Sequence, residues 1–354
     1  MGWAERRVLV RVPATSANLG PGFDALGLAL TLYDEVSARV IPSGLTIDVC
    51  GEGAADVADA AEAHLVVRAM RAAFDDLGAK QPPGLALRCV NRIPHGRGLG
   101  SSAAAIVAGI LAARALADAG VSAGEALPLA NELEGHPDNV ATCLFGGLTI
   151  AWLTDSAPPG GRPPAPPDTS SAPPGGRPPA PPDTSSAPPG GRPPAPPDTS
   201  SRTPRAMRLQ PAEEITPVAI IAPAPVSTKL ARGLMPARVP HSDAARNAGR
   251  AALLIAALTT RPEMLLDATE DRLHQDYRAP AMPATHELVS RLRAAGLPAV
   301  VSGAGPSVLA LLTSGQGRDR LDSIVKETGI QWRVSPLDVE RQGASVAPGV
   351  PSTW

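Results

Sequence analysis

Residues 94–104 have the sequence Pro-His-Gly-Arg-Gly-Leu-Gly-Ser-Ser-Ala-Ala, and this stretch decides the fold. Glycine occupies every second position from Gly96 to Gly100, so the backbone can adopt positive φ and approach a ligand closely. Ser101 and Ser102 then begin an alanine-rich helical pattern. A loop that leads into a helix N-terminus presents backbone N–H groups and the positive end of the helix dipole, which suits a phosphate. A tight turn with a serine cap would use the same residues, so this stretch alone leaves both interpretations open.

The composition limits the classes of protein to which the chain can belong. A length of 354 residues fits roughly two domains, and a hydrophobic content of 44% supports substantial cores. Aromatic residues make up only 3%, which disfavours stacking platforms for single-stranded nucleic acid. The net charge of −2 gives no excess of positive charge that would attract the phosphates of a nucleic acid. We therefore expect no nucleic-acid partner.

The cysteines and the N-terminal region indicate the compartment. Cys50, Cys89 and Cys143 lie far apart and form no CxxC pair, which predicts buried free thiols rather than a disulfide framework or a zinc site. The N-terminal region lacks the apolar run of a signal peptide, and no stretch reaches the apolar length of a membrane span. We therefore expect a cytoplasmic protein without membrane association.

A perfect tandem repeat interrupts the chain. The sequence Ser-Ala-Pro-Pro-Gly-Gly-Arg-Pro-Pro-Ala-Pro-Pro-Asp-Thr-Ser occurs three times, over 156–170, 171–185 and 186–200. These residues cannot build a core, which predicts a disordered, polyproline-like surface insertion. Its PxxP spacing suits SH3-like grooves, whereas identity between copies is typical of tandem expansion in a tolerant loop. The insertion separates predicted domains over 1–155 and 201–354.

Periodicity predicts both strands and helices on each side of the insertion. Strand patterns cover 7–12, 36–41, 45–50, 85–90, 148–153, 216–222, 299–302, 308–312 and 331–334. Helical patterns cover 60–77, 103–119, 126–133, 242–258 and 321–327, and the second of these is apolar nearly all round, which predicts burial. We expect 36–41 and 45–50 to form a hairpin, and 14–24 to form a loop because small, polar and turn residues fill it.

Two common phosphate-binding architectures are excluded. A Walker loop needs Gly-Lys-Ser/Thr, but the only lysines are Lys80, Lys229 and Lys326, none of them near the glycine loop. The glycine loop, HRD and DFG set of protein kinases is also absent from the sequence. A phosphate-binding loop in this chain must therefore belong to another architecture.

Four ordered motifs resemble those of one family. Residues 94–104 closely resemble the ATP-binding loop of the galactokinases, homoserine kinases, mevalonate kinases and phosphomevalonate kinases. Residues 12–24, 134–141 and 302–307 are similar to motifs of the homoserine kinase branch in particular, and they occur in the same order. The resemblance implies an α+β, two-domain small-molecule kinase fold with ATP between the domains. It also implies transfer of the ATP γ-phosphoryl group to L-homoserine, which gives O-phospho-L-homoserine for threonine biosynthesis.

The resemblance also implies which residues bind ATP and Mg²⁺. The phosphates would contact the loop residues, namely Pro94, His95, Gly96, Arg97, Gly98, Leu99, Gly100, Ser101, Ser102, Ala103 and Ala104. Arg97 would add a positive charge that no lysine provides. Mg²⁺ needs a hydroxyl and a carboxylate beside the phosphates, and the resemblance indicates Ser102 and Glu134. Glu132 stays open as the carboxylate, because the spacing of this glutamate varies in the family.

The substrate pocket is implied in the same way. Its expected residues are Asn18, Asp24, His136, Asp138, Asn139, Thr228, Arg232 and Arg278. Asp24 and Asp138 suit the ammonium or the hydroxyl of homoserine, and an arginine fork suits its carboxylate. Asp138, Asn139 and Arg232 are the expected catalytic residues. Asp138 could act as a base or only align the hydroxyl, and both roles stay open.

Two alternative functions remain. The first is another small-molecule kinase of the same family, which the motifs at 12–24 and 134–141 disfavour. The second is a kinase-like scaffold that displays the PxxP repeats to partners. A homodimer is compatible with either function.

Overall fold

The computed structural model describes residues 7–57, 60–155, 202–313 and 317–349. Contacts divide the chain into one compact unit of residues 1–152 and 204–354 and a second unit over 153–203. In the smaller unit, Arg202 Nε donates to Asp155 Oδ1 at 3.0 Å. The predicted disordered insertion, 156–200, lies outside the described residues.

The strands of the described chain form two sheets. They are β1 (Arg7–Ala17), β2 (Leu26–Val40), β3 (Gly44–Gly51), β4 (Gly84–Asn91), β5 (Leu148–Asp155), β6 (Arg202–Leu209), β7 (Ile215–Ile221), β8 (Ala299–Val301), β9 (Val308–Thr313), β10 (Arg333–Pro336) and β11 (Ser345–Pro348). One sheet has the order β11-β1-β2-β4-β3, with β5 paired to β2 and to β6. The other has the order β10-β7-β9-β8.

The helices cover these sheets. They are α1 (Ala54–Val57), α2 (Leu65–Asp76), α3 (Ser101–Leu116), α4 (Ala123–Glu134), α5 (Pro137–Phe145), α6 (Thr228–Gly233), α7 (His241–Thr259), α8 (Leu265–Ala268), α9 (Gln275–Arg278), α10 (Pro283–Ala294) and α11 (Arg318–Glu327). Helix α3 packs against α2 and the larger sheet, and most of its residues are buried, as its apolar pattern predicts. None of the described helices has the length and apolar character that a membrane crossing requires.

The predicted hairpin is wrong. Residues 36–41 and 45–50 fall largely in β2 and β3, but β4 lies between these strands, antiparallel to β2 and parallel to β3. The chain crosses over through α2 between β3 and β4, which a parallel pair requires. Strand β4 is mostly buried and takes the inner position, whereas β3 alternates between exposed and half-buried residues, as suits an edge.

The predicted loop over 14–24 is wrong in its first part. Strand β1 continues to Ala17, and its pairing with β2 shifts register between Pro13 and Ala14. Proline lacks the N–H that the ladder needs, so a bulge at this point keeps the strand in the sheet. The loop begins only at Asn18, whose φ of 69° is left-handed.

The hydrophobic clusters and the state of the cysteines can be compared with what the composition predicts. Among the described residues, one hydrophobic cluster joins the larger sheet to α2–α5, and another joins the smaller sheet to α10 and α11. Cys89 and Cys143 are buried free thiols, as predicted, whereas Cys50 is half-buried and also free.

Candidate active site

The glycine loop ends at an uncapped helix N-terminus. Gly100 is the left-handed N-cap of α3, with φ of 73° and no side-chain cap bond. The alternative of a tight turn with a serine cap is therefore not observed, and Ser101 and Ser102 are the first helical residues, whose N–H groups have no partner within the helix. A side chain at Gly98 would collide with the carbonyl oxygen of Ser302, and one at Gly100 with the Thr15 hydroxyl. This N-terminus can receive an anion such as a phosphate.

A cleft of about 150 Å³ lies at this N-terminus. It is lined by residues from all four motifs and from α6 and α9, namely Asn18, Gly96, Gly98, Gly100, Ser101, Ser102, Glu134, His136, Asp138, Asn139, Thr228, Arg232, Arg278, Gly303 and Ala304. The fold therefore brings most of the expected site residues together.

A hydroxyl and a carboxylate meet beside the loop. Ser102 Oγ donates to Glu134 Oε2 at 2.7 Å. Burial raises the pKa of Glu134, and the hydrogen bond from Ser102 opposes part of this rise. Glu132 is exposed and does not line the cleft, so the geometry favours Glu134 as a metal ligand.

The Ser102–Glu134 pair suits a Mg²⁺ ion that takes most of its ligands from waters and substrate phosphates. Within the described ranges, no group of three His, Cys, Asp or Glu side chains could hold a metal ion. Mg²⁺ usually keeps several waters and binds through one or two carboxylates together with substrate phosphates. A single hydroxyl–carboxylate pair beside a loop that suits phosphates is therefore compatible with Mg²⁺.

Helix α5 positions a buried carboxylate at the cleft. Asp138 Oδ1 lies 2.6 Å from His136 Nδ1 and accepts the backbone N–H of Asn139 at 2.8 Å. Burial lowers the pKa of His136, but the hydrogen bond to Asp138 and the negative charge of that carboxylate together outweigh this effect and raise the pKa overall. Thr15 Oγ1 donates to Asn139 Oδ1 at 2.7 Å, which orients the Asn139 amide. Within the described chain, Asp138 Oδ2 has no hydrogen bond, so this oxygen is free for a ligand.

Arg278 is a buried cation with one edge unused. It is 1% exposed, and its Nη1 donates to His274 Nδ1 at 3.1 Å and to Gly303 O at 3.2 Å. Its Nε is buried and has no partner among the described residues. Burial lowers the pKa of Arg278, but a guanidinium starts so high that the charge remains. Because Arg278 lines the cleft, the Nε/Nη2 edge is the side of the guanidinium that is left for a carboxylate.

Arg232 and Asp24 form an ion pair at the mouth of the cleft. Arg232 Nη2 lies 3.0 Å from Asp24 Oδ1, and both side chains are partly exposed. Asn18 lines the cleft, and its side chain is held in place because its Oδ1 accepts the Asp24 N–H and its Nδ2 donates to Gly303 O. Asn18 thus links the first and the last motif. Its contact with substrate stays a prediction.

Comparisons with known proteins identify the family of this chain. A model of the GHMP kinases N terminal domain matches residues 64–147, and a model of the GHMP kinases C terminal domain matches 250–331. Homoserine kinase from Streptomyces coelicolor is 50% identical over 344 residues, covering 96% of this chain and 94% of that protein. The chain belongs to the homoserine kinase family.

Further comparisons extend this result. Homoserine kinase from Streptomyces avermitilis is also 50% identical over 344 residues, covering 96% of both chains. The crystal structure of homoserine kinase from Cytophaga hutchinsonii has a TM-score of 0.74 at 24% identity and covers 98% of this chain and 99% of that chain. The resemblance expected from the motifs and the mixed α/β fold of this family are thus confirmed.

Not every expected ATP-binding residue of this homoserine kinase family member lies in the cleft. Arg97 donates to the carbonyl oxygens of Ala222, His95 and Pro223, so its guanidinium ties the loop to the segment after β7. Its role as a phosphate-binding charge stays a prediction. Leu99, Ala103 and Ala104 are buried, and Pro94 and His95 do not line the cleft.

A second cavity, which sequence reasoning missed, adjoins the cleft. It measures about 240 Å³, shares Ser101 and Ser102 with the cleft, and has a mainly apolar lining. His64 lines it, is 6% exposed, and has an Nδ1 without a partner among the described residues. Asn91 and His95 lie at its edge. The sequence contains only a weak signal for this cavity, because His64 merely precedes an amphipathic helix and Asn91 ends a strand.

Proposed function

We propose that the protein is a homoserine kinase, which transfers the γ-phosphoryl group of ATP to the hydroxyl of L-homoserine and releases O-phospho-L-homoserine for threonine biosynthesis. One observation supports this reaction above others. A single cleft contains an uncapped helix N-terminus that suits phosphates and a buried arginine edge that suits a carboxylate. A kinase acting on an amino acid needs both.

The donor half of the reaction belongs to the glycine loop. The triphosphate lies along Gly96–Ser102, and the nucleoside extends into the adjoining cavity beside His64. Ser102 and Glu134 hold Mg²⁺, which neutralises charge on the phosphates when bound. The rigid N-terminus of α3 contributes fixed N–H donors that need no rearrangement as charge develops on the transferred group.

The acceptor half belongs to the opposite side of the cleft. The substrate carboxylate binds the Nε/Nη2 edge of Arg278, with Arg232 as a second cation. Asp24, already paired with Arg232, receives the ammonium group. The hydroxyl faces Asp138 Oδ2, while the contacts of His136 and Asn139 keep Oδ1 fixed. Phosphoryl transfer depends mainly on such alignment and on charge stabilisation.

A substrate panel tests this function directly. Purified protein is incubated with ATP, Mg²⁺ and, in separate reactions, L-homoserine, mevalonate, galactose or shikimate, and products are measured by phosphorus NMR. We expect phosphorylation of L-homoserine with a kcat/KM far above that of the other alcohols. Equal or higher activity on another alcohol would reject the proposal in favour of a different kinase of this family.

The scaffold alternative is tested by deleting the repeat. We expect a chain without 156–200 to keep nearly the whole kcat on homoserine, because none of the four sequence motifs belongs to that segment. A large loss of kcat would mean that the repeat takes part in catalysis. A control deletes one copy only.

The remaining features are also proposals. We propose a cytoplasmic location, because ATP and free amino acids are available there. The domain boundaries 1–155 and 201–354 and a homodimer stay predictions, and light scattering measures the mass in solution.

A further inference from the structure

A buried histidine lies behind the proposed carboxylate receptor. His274 precedes α9, is completely buried, and contacts neither cavity at the site. Its ring stacks on Phe23 with centroids 5.1 Å apart and an interplanar angle of 19°. The family resemblance indicated Arg278 but not His274, and His274 has no part in the proposed reaction.

The hydrogen bonds of His274 define its tautomer. Nε2 lies 2.9 Å from Gly20 O, and a carbonyl oxygen can only accept, so Nε2 must bear the proton. Nδ1 is then the acceptor for Arg278 Nη1 at 3.1 Å. Burial lowers the pKa of His274, which favours this neutral form. The ring therefore connects the loop after β1 to the guanidinium of Arg278.

This connection decides which edge of Arg278 is available. A guanidinium has five N–H donors in a rigid plane, and both donors of Nη1 are used by His274 and Gly303. With Nη1 held in the protein, the Nε/Nη2 edge is the one left for a ligand. Without the acceptor on His274, only Gly303 would restrain Nη1, and the plane could rotate.

We propose that His274 is a positioning residue that holds the guanidinium of Arg278 in the orientation required to select substrates with an α-carboxylate. The inference rests on the proposed function and deepens it, because it explains how the site distinguishes an amino acid from a simple amino alcohol. His274 itself touches no substrate.

The test compares two substrates in two variants. L-Homoserine and 3-aminopropan-1-ol differ by the carboxylate, so the ratio of their kcat/KM values measures its recognition. His274→Gln keeps a donor for Gly20 but loses the acceptor for Arg278, and we expect this ratio to fall roughly 10- to 100-fold, with the KM for ATP unchanged. His274→Asn retains an acceptor near the Nδ1 position and should restore most of the ratio. His241→Gln, at an exposed histidine at the start of α7 and outside both cavities, is the matched control.

Each outcome has a defined meaning. Equal losses of kcat/KM on both substrates in His274→Gln would overturn the inference, because they would show that His274 has only a structural role. An unchanged ratio would also overturn it, because His274 would then have no effect on carboxylate recognition. If the Gln variant does not fold, the Asn variant decides, since loss of the ratio there contradicts the proposed geometry and its retention supports it. Failure of the unmodified protein to phosphorylate L-homoserine would instead reject the proposed function.

Discussion

Asp138→Asn separates catalysis by Asp138 from its structural contacts. Three contacts, from His136 Nδ1, the Asn139 backbone N–H and Asn139 Nδ2, all fall on Oδ1. An asparagine can keep its oxygen at that position and place an NH₂ group where Oδ2 faces the cleft. The substitution therefore keeps the contacts to Oδ1, while it removes the carboxylate charge and changes the group that meets the substrate hydroxyl.

The expected magnitude follows from this geometry. If Oδ2 accepts the hydroxyl proton, its loss removes a general-base contribution of about 10²- to 10⁴-fold in kcat, or about 3 to 5 kcal/mol of activation free energy. An NH₂ group can donate to the hydroxyl oxygen but cannot take its proton. We expect a fall in kcat of this size with little change in the KM for ATP.

Steady-state kinetics at saturating ATP and Mg²⁺ measure this effect, with thermal melting as the control for folding. Asp243→Asn, in the first turn of α7 and outside the cleft, is the matched substitution and should leave kcat unchanged. A kcat for Asp138→Asn within tenfold of the unmodified protein would refute the base role. The proton would then pass to the transferred phosphate, and Asp138 would only align the hydroxyl.

Three further predictions concern the metal, the substrate and pH. Glu134→Gln should raise the Mg²⁺ concentration needed for half-maximal rate by roughly tenfold or more, whereas Glu132→Gln should not; the opposite result would make Glu132 the ligand. Arg232→Ala should raise the KM for homoserine roughly 10- to 100-fold and spare ATP binding, and a collapse of ATP affinity would contradict its placement. Burial lowers the pKa of His64, so this histidine binds protons more weakly in the folded chain and stability falls as pH drops below about 6.5. His64→Gln should therefore flatten the decline of Tm between pH 7 and 5.5, and parallel Tm curves would show that another group controls the decline.

The local features of the fold were predictable because they depend on neighbouring residues. The glycine loop, the buried helix after it and most strands follow from spacing and apolar pattern, and the structure places them within a few residues of the expected bounds. The position of β4 between β2 and β3 was not predictable in this way, because strand order depends on burial of β4 from both sides. The continuation of β1 beyond Pro13 likewise depends on its partner strand.

The residues that form the candidate site were easier to predict from the sequence than the contacts that each of them makes. The family resemblance indicated Asp138, Arg232 and Arg278, but no sequence pattern indicates that Arg97 donates its hydrogen bonds to carbonyl oxygens. The roles of His64 and His274 arise from burial and from unpaired or shared ring nitrogens, which only the tertiary structure defines.

The link between Asn18 and Gly303 has a consequence for engineering. These residues lie 285 positions apart. The lining residues between Asn18 and Asn139 come before the repeat in the sequence, and those between Thr228 and Ala304 come after it. A chain opened within 156–200 would yield two fragments, each with part of the cleft. Kinase activity would then report reassembly of the fragments, so this chain offers a natural place to build a split enzyme.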